Sequence, residues 1–276
     1  MTRSTPTFGA LIIGDEILSG RRADKHLPKL IELLCARGLP LAYAYHVGDD
    51  PTRITALLAQ AFASGDVVFA FGGIGATPDD HTRQCAAAAL GQPLRLHPQA
   101  KTLIEQRMLD LARQQGETLD LAHPDSLQRL NMGVFPASAT IIPNAYNQIP
   151  GFSCQGAAGG AVHFVPGFPV MAWPMVEWVL DTHYADCFSV GAWVEKSVIV
   201  YGAMEATLTP LMERIERAHP DIKVFSLPSV DHPQYGRHID LGVKGPVLLA
   251  DAAYLDLLAG LNAGAFQLGP ELVRNQ

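Results

Sequence analysis

The chain has 276 residues, 48% of them hydrophobic and 17% charged, and it carries a net charge of −7. That length can bury one large core and a smaller one, so two domains are expected, and the acidic balance argues against broad binding to nucleic acid or to an anionic membrane surface. Residues 1–7 run straight into an apolar strand with no leader-type stretch, and no run is of membrane-spanning length, which makes the cytoplasm the expected location.

Phe8 to Ile13 is an apolar run of strand length that ends at Gly14. Leu27, Leu30, Ile31 and Leu34 then recur at helical spacing before Gly38, which is placed to end that helix. Leu39 to Val47 reads as a second strand. Ile54, Leu57, Leu58, Ala61 and Phe62 line a second helix ending near Gly65, and Asp66 to Phe71 is a third strand. This β-α-β-α-β pattern requires a largely parallel sheet covered on both faces, a three-layer α/β/α domain. Ligands on such sheets bind beyond the carboxyl ends of the strands. Gly14-Asp15-Glu16, His46 to Asp50 and Gly72 to Asp80 all follow strand ends, so the topology gathers them at one edge.

The stretch from Gly72 to Thr82, Gly-Gly-Ile-Gly-Ala-Thr-Pro-Asp-Asp-His-Thr, is the most informative in the chain. Gly72, Gly73 and Gly75 permit positive φ and close approach of a ligand to the main chain. Thr77-Pro78-Asp79-Asp80 reads as an N-cap, a first-turn proline and an acidic capping-box partner, opening an alanine-rich helix that stops at Gly91. The expected result is an anion cradle at a helix N-terminus, with free N–H groups aimed at the ligand. Asp79 and Asp80 would repel a bare phosphate. They should therefore face a divalent cation that bridges to phosphate oxygens, or the donors of a ring or sugar, so the ligand combines a phosphate with a heterocycle of pterin or nucleotide type. The motif lacks the Gly-Lys-Ser/Thr ending of a P-loop, and Pro78 stands where a dinucleotide fingerprint needs its third glycine.

Residues 98 to 132 read as one long helix followed by a shorter one around Ser126 to Asn131, together a flap or buttress. From Phe135 to Pro174 the chain is rich in proline and glycine and holds two short strands, Thr140 to Ile142 and Val162 to Val165. After about residue 187 the pattern changes. Lys196 to Tyr201, Ile222 to Leu227 and Arg237 to Val243 read as strands, while Leu208 to Ala218 and Ala252 to Leu261 read as helices. Domains 1–186 and 187–276 follow, the second a small α+β unit of β-α-β-β-α type. Such a unit buries little core alone and is expected to pack on the first domain or a second subunit, which makes a homodimer the expected assembly. Cys35, Cys85, Cys154 and Cys187 include no Cys-x-x-Cys pair, which disfavours a zinc site or a disulfide scaffold; Cys35 and Cys85 read as buried helical thiols.

Gly72 to Thr82 resembles the Gly-Gly-Leu-Gly-Pro-Thr-x-Asp-Asp-x-Thr stretch of the CinA family, a branch of the molybdopterin-binding fold shared with MoaB and MogA. Gly14-Asp15-Glu16-Ile17-Leu18-Ser19-Gly20 is similar to that family's opening Gly-Asp/Asn-Glu-Leu-Leu-x-Gly. Val47-Gly48-Asp49 is similar to its Val-Gly-Asp segment, and Pro166-Gly167-Phe168-Pro169 to its Pro-Gly-Val-Pro turn. The resemblance spans residues 8 to 180. The β-α-β-β-α pattern of the small domain resembles the KH-like middle domain of CinA proteins, and no room is expected for the nicotinamide-nucleotide amidase module of full-length members. The chain departs from the pattern at His26, where the family has Asn, at Asn147 and Gln148, where it has Gly-Thr, and at Met171, where it has Glu.

The resemblance implies a ligand of molybdopterin or adenine-dinucleotide type, ADP-ribose for example. The activity it implies is hydrolysis of a diphosphate bond with Mg²⁺, Mn²⁺ or Co²⁺. Adenylylation of a pterin or metal insertion is the competing biosynthetic reading, and a non-catalytic pterin or nucleotide sensor is a third. Asp80 and Asp49 are the candidate catalytic residues and Asp79 and Asp80 the candidate metal ligands, although Asp49 is explained equally well as a helix N-cap. Gly72, Gly73, Gly75, Thr77, Asp79 and Thr82 are the candidate binding residues of the loop. Of Asp15 and Glu16, one faces the site and the other caps a turn. Arg21, in the basic run Arg21, Arg22 and Lys25, is placed to meet phosphates.

Overall fold

A computed structural model describes residues 6–189, 191 and 193–275. The N-terminal residues 1–5, on which part of the leader expectation rests, lie outside the described residues. Two compact units emerge. One comprises the described residues to Leu34 together with Leu39–Phe188, the other Cys35–Gly38 with the described residues from Ser189 onward.

The first unit runs β1 (Phe8–Ile13), α1 (Asp15–Leu18), α2 (His26–Cys35), β2 (Leu41–Val47), α3 (Pro51–Ser64), β3 (Val67–Phe71), α4 (Thr82–Leu90), β4 (Leu94–Leu96), α5 (Pro98–Gln115), α6 (Pro124–Leu130), β5 (Val134–Pro136), β6 (Thr140–Ile142), β7 (Gly151–Gln155), β8 (Ala161–Val165) and α7 (Pro169–His183). Its main sheet has the order β2-β1-β3-β8-β7-β6. The first four strands are parallel, whereas β7 runs antiparallel to β8 and β6 antiparallel to β7. Every residue of β1, β3 and β8 is buried, as a parallel sheet covered on both faces demands. The alternation divides them cleanly. Leu11, Ile13, Val68, Ala70, Val162 and Phe164 pack against Ile54, Leu58 and Phe62 of α3 and Ala86 of α4. Phe8, Ala10, Ile12, Phe69, Phe71 and Val165 face Leu30 and Leu34 of α2 and Met175, Val176 and Val179 of α7. The three-layer α/β/α architecture is therefore as expected.

Two of the elements hidden in the sequence owe it to glycine and proline. Gly151 opens β7, and a Cβ there would run into the carbonyl of Phe164, so the glycine that reads as a breaker is what lets β7 lie against β8. Helix α7 begins with Pro169 at its first turn and holds Pro174 inside, two residues that mask a 15-residue helix. The expected buttress is real but ends its long helix at Gln115, with Gly116 in the left-handed conformation.

The second unit runs β9 (Trp193–Tyr201), α8 (Glu205–Ala218), β10 (Lys223–His232), β11 (Gly236–Pro246), α9 (Val247–Ala263) and β12 (Gln267–Asn275). Its antiparallel sheet has the order β10-β11-β9-β12, with Leu208 and Ile215 of α8 and Ala253, Leu257 and Leu261 of α9 in the core. The α+β class is as read, but β12 extends the β-α-β-β-α pattern to a split β-α-β arrangement. Gly269 and Pro270 hide that strand in the sequence, and the pairing of β12 with β9 shifts register between Leu268 and Glu271. Among the described residues no helix is long and apolar enough to cross a membrane. All four cysteines are free thiols; Cys85 is buried as expected, whereas Cys35 is only half-buried because it lies at the last position of α2.

Candidate functional site

The register of the parallel strands sets their carboxyl ends side by side. Ile13 pairs with Val47, Ile12 with Phe71 and Phe71 with Val165. One more backbone bond continues each ladder, Gly14 N–H to Val47 O and Gly72 N–H to Val165 O, both 3.0 Å. Above this edge lies a cleft of about 490 Å³ lined by the segments after β1, β2, β3 and β8 and by Asn144, Asn147, Ile149 and Met132.

The loop from Gly72 to Asp80 forms its wall. Gly72 and Gly73 have φ of 99° and 67°, and a Cβ on either would meet the carbonyl of Ile13 or the hydroxyl of Thr82. The carbonyls of the loop are held from behind. Thr82 Oγ1 donates to Gly72 O (3.0 Å) and its N–H to Gly73 O (3.0 Å). Arg83 Nη2 donates to Gly75 O (2.6 Å), and Gln128 Nε2 of α6 to Ala76 O (3.2 Å). The N–H groups of Gly73, Ile74, Gly75 and Ala76 have no hydrogen-bond partner among the described residues, and all four residues line the cleft.

The helix start is not where the capping pattern put it. Asp80 Oδ2 accepts the Thr77 N–H (2.8 Å) and the Thr77 hydroxyl, while Asp80 N–H returns to Thr77 O (3.0 Å). Half of the predicted box thus closes a separate turn, and α4 begins only at Thr82 after His81. The Asp80 carboxylate is engaged by that turn. Thr82, read as a binding residue, is fully buried and latches the loop instead of facing the cleft.

The acidic residues after β1 and β2 also exchange roles. Asp50 is the N-cap of α3, accepting from Thr52 N–H (2.8 Å) and Arg53 N–H (3.1 Å), which leaves Asp49 to the cleft. Asp15 and Asp49 brace each other: Asp15 N–H donates to Asp49 Oδ2 (3.0 Å) and Asp49 N–H to Asp15 Oδ1 (3.2 Å). Burial, with the nearby charges of Asp15, Glu16 and Asp79, raises the Asp49 carboxyl above the ordinary carboxylate range. Glu16, Asp79 and Asp80 line the cleft, whereas Asp15 does not. Arg21 is turned to Ser19, its Nε donating to Oγ at 3.2 Å, and Arg22 takes the position foreseen for it. His26 is no part of a basic mouth. It is buried, stacked 4.7 Å from Phe71, and donates from Nε2 to Gly167 O at 3.1 Å.

Asn147 and Met171, two departures from the family pattern, meet here: Asn147 Nδ2 lies 3.2 Å from Met171 Sδ. Gln148 adopts φ 66° between them and the Pro150 turn. Arg83 escaped notice in the sequence, although a cation at the second position of a helix, against the helix dipole, is a readable signal.

A three-layer α/β/α domain with a glycine loop over the carboxyl ends of its parallel strands defines the class. Residues 9–184 match the family model described as a probable molybdopterin binding domain, and the chain belongs to that family. It is CinA-like: over 171 residues it is 35% identical to a CinA-like protein of Anaeromyxobacter dehalogenans, covering 62% of this chain and 39% of that protein. The chain thus spans well under half the length of such relatives. A protein of Aeropyrum pernix is 30% identical over 251 residues, covering 91% of this chain and 87% of the relative. The crystal structure of CinA from Thermoplasma acidophilum superposes with a TM-score of 0.54 at 28% identity, covering 64% of this chain and 98% of that one.

Proposed function

We propose that the cleft binds a phosphorylated heterocycle, a pterin of the molybdopterin class or an adenine dinucleotide such as ADP-ribose. The observation that carries this reading is the run of four N–H groups, Gly73 to Ala76, without a partner among the described residues, in a loop whose Gly72, Gly73, Gly75 and Ala76 carbonyls are tied down behind it. Such a nest is complementary to phosphate oxygens. Arg22 adds a cation at the same cleft, and Ile74, Met132, Ile149, Phe168 and Met171 supply an apolar wall for a ring. Calorimetric titration with ADP-ribose and with a pterin phosphate is expected to give saturable binding to one of them. Failure of both to bind a folded protein would sink the proposal.

A second reading, hydrolysis of a diphosphate bond, rests on Asp49. Among the described residues no three His, Cys, Asp or Glu side chains come together to hold a metal. Asp79 and Asp80 both line the cleft, with one Asp80 oxygen, Oδ2, engaged by Thr77. An Mg²⁺, Mn²⁺ or Co²⁺ ion would be held by Asp79 and Asp80 together with the ligand's own phosphates. Such a cation would neutralise phosphoryl charge. Asp49 itself, with its carboxyl raised by burial, is suited to accept a proton from water near the phosphates. Asp49→Asn is then expected to abolish release of AMP from ADP-ribose while leaving binding nearly intact, as chromatography of products would show. Absence of turnover in the wild-type protein with any of the three metals leaves binding alone, the role of a sensor or carrier.

A further inference from the structure

Arg83 is the second residue of α4 and is only 5% exposed. Among the described residues it forms no ion pair. Its guanidinium meets backbone carbonyls instead, donating from Nη2 to Gly75 O (2.6 Å) and from Nη1 to Val134 O (3.4 Å) and Asn131 O. Nε has no hydrogen-bond partner among the described residues. Taking a cation out of water costs several kcal/mol unless opposite charge repays it, and the N-terminal end of a helix is the end whose dipole opposes a cation. Asp80 is the acidic group whose field reaches Arg83, and its carboxylate is already engaged by Thr77. Arg83 is thus a buried charge held largely by neutral groups, directly behind a loop that presents four free N–H donors.

We propose that Arg83 is the positioning residue of the anion site. It pins the Gly75 carbonyl to the rear of the loop, which keeps the neighbouring N–H groups available to the cleft, and its charge is compensated when a ligand phosphate is seated on the front. This rests on the binding function proposed above. It adds that the anionic part of the ligand sits at Gly75 and Ala76, and that the affinity for it is electrostatic through one peptide layer as well as hydrogen-bonded.

The rear of the loop opens to a second cleft of about 420 Å³, lined by Arg83, Gln84, Gln128 and Asn131, through which a small cation can reach the place of a truncated side chain. The test is titration of pyrophosphate into the wild-type protein, Arg83→Ala, Arg83→Met and Arg83→Lys, with thermal melting in parallel. Arg83→Ala and Arg83→Met are expected to weaken pyrophosphate binding about thirtyfold. Arg83→Lys should retain most of the affinity, and ethylguanidinium should restore it to Arg83→Ala while ethylurea at the same concentration does not. A purely structural role would lower the melting temperature but leave the affinity of the folded protein unmoved by guanidinium. Wild-type affinity in either folded truncation overturns this inference alone, and Arg83→Met serves if Arg83→Ala does not fold. No pyrophosphate binding by the wild-type protein overturns the anion site at the loop and this inference with it, whereas the binding function itself falls only if ADP-ribose and a pterin phosphate also fail to bind.

Discussion

At the scale of single residues, Gly75 shows how the loop depends on what it must not carry. Its φ lies outside the left-handed region, so the requirement is spatial: a Cβ would stand 2.5 Å from Asp80 Oδ2 and push the carboxylate off Thr77. Gly75→Ala is expected to lower ligand affinity about tenfold with the fold retained, since a displaced surface turn costs only ~1–3 kcal/mol. Calorimetry beside a melting curve checks this, and wild-type affinity in the folded variant would take the loop out of the site. The glycines, Glu16 and Asp49 were legible as residues of one cleft because loops after parallel strands converge whatever their details. The roles of Asp49 and Asp50, of Arg21 and Arg22, and of Thr82 were not. Neighbouring residues of the same charge differ only in where the backbone aims them, and no periodicity reports that.

At the scale of elements, β7, β8 and the residue that follows α7 share a buried polar chain: Ser153 Oγ lies 2.7 Å from His163 Nδ1, and His163 Nε2 lies 2.7 Å from the Tyr184 hydroxyl. Burial, with the nearby His183, lowers the His163 pKa to about 3. The unfolded chain takes up a proton near the ordinary value of about 6.5 while the folded protein refuses it. Stability from this group is therefore complete above pH 6.5 and is lost as pH falls toward 3, by up to ~1.4 kcal/mol per pH unit. His26, lowered by burial, acts in the same direction. Denaturant titrations at pH 7.5 and 4.5 should show the loss, and His163→Gln should shrink it. An unchanged slope in the variant would remove His163 as its cause. Elements were readable wherever hydrophobic period and terminal glycines agreed, as in α3 with Gly65 and α4 with Gly91. They were hidden where proline or glycine sits inside the element, as in α7 and β12.

At the scale of the molecule, every residue that lines the cleft belongs to the first unit. The second unit leaves Leu248 92% exposed and Leu255 65% exposed on α9. We propose that it serves self-association, with the homodimer as the assembly. A truncation after Phe188 is expected to bind ligand as the whole chain does but to scatter light as a monomer. Loss of binding on truncation, or a dimer that survives it, would reverse that division of labour. The carbonyl anchoring of residues 72–77 has one more consequence, a kinetic one. The carbonyls of Gly72, Gly73, Gly75, Ala76 and Thr77 are fastened by the protein's own Thr82, Arg83, Gln128 and Asp80, so no ordering step separates encounter from capture. Association should then proceed in one phase whose rate rises linearly with ligand concentration, and differences in affinity between ligands should reside in how slowly each one leaves.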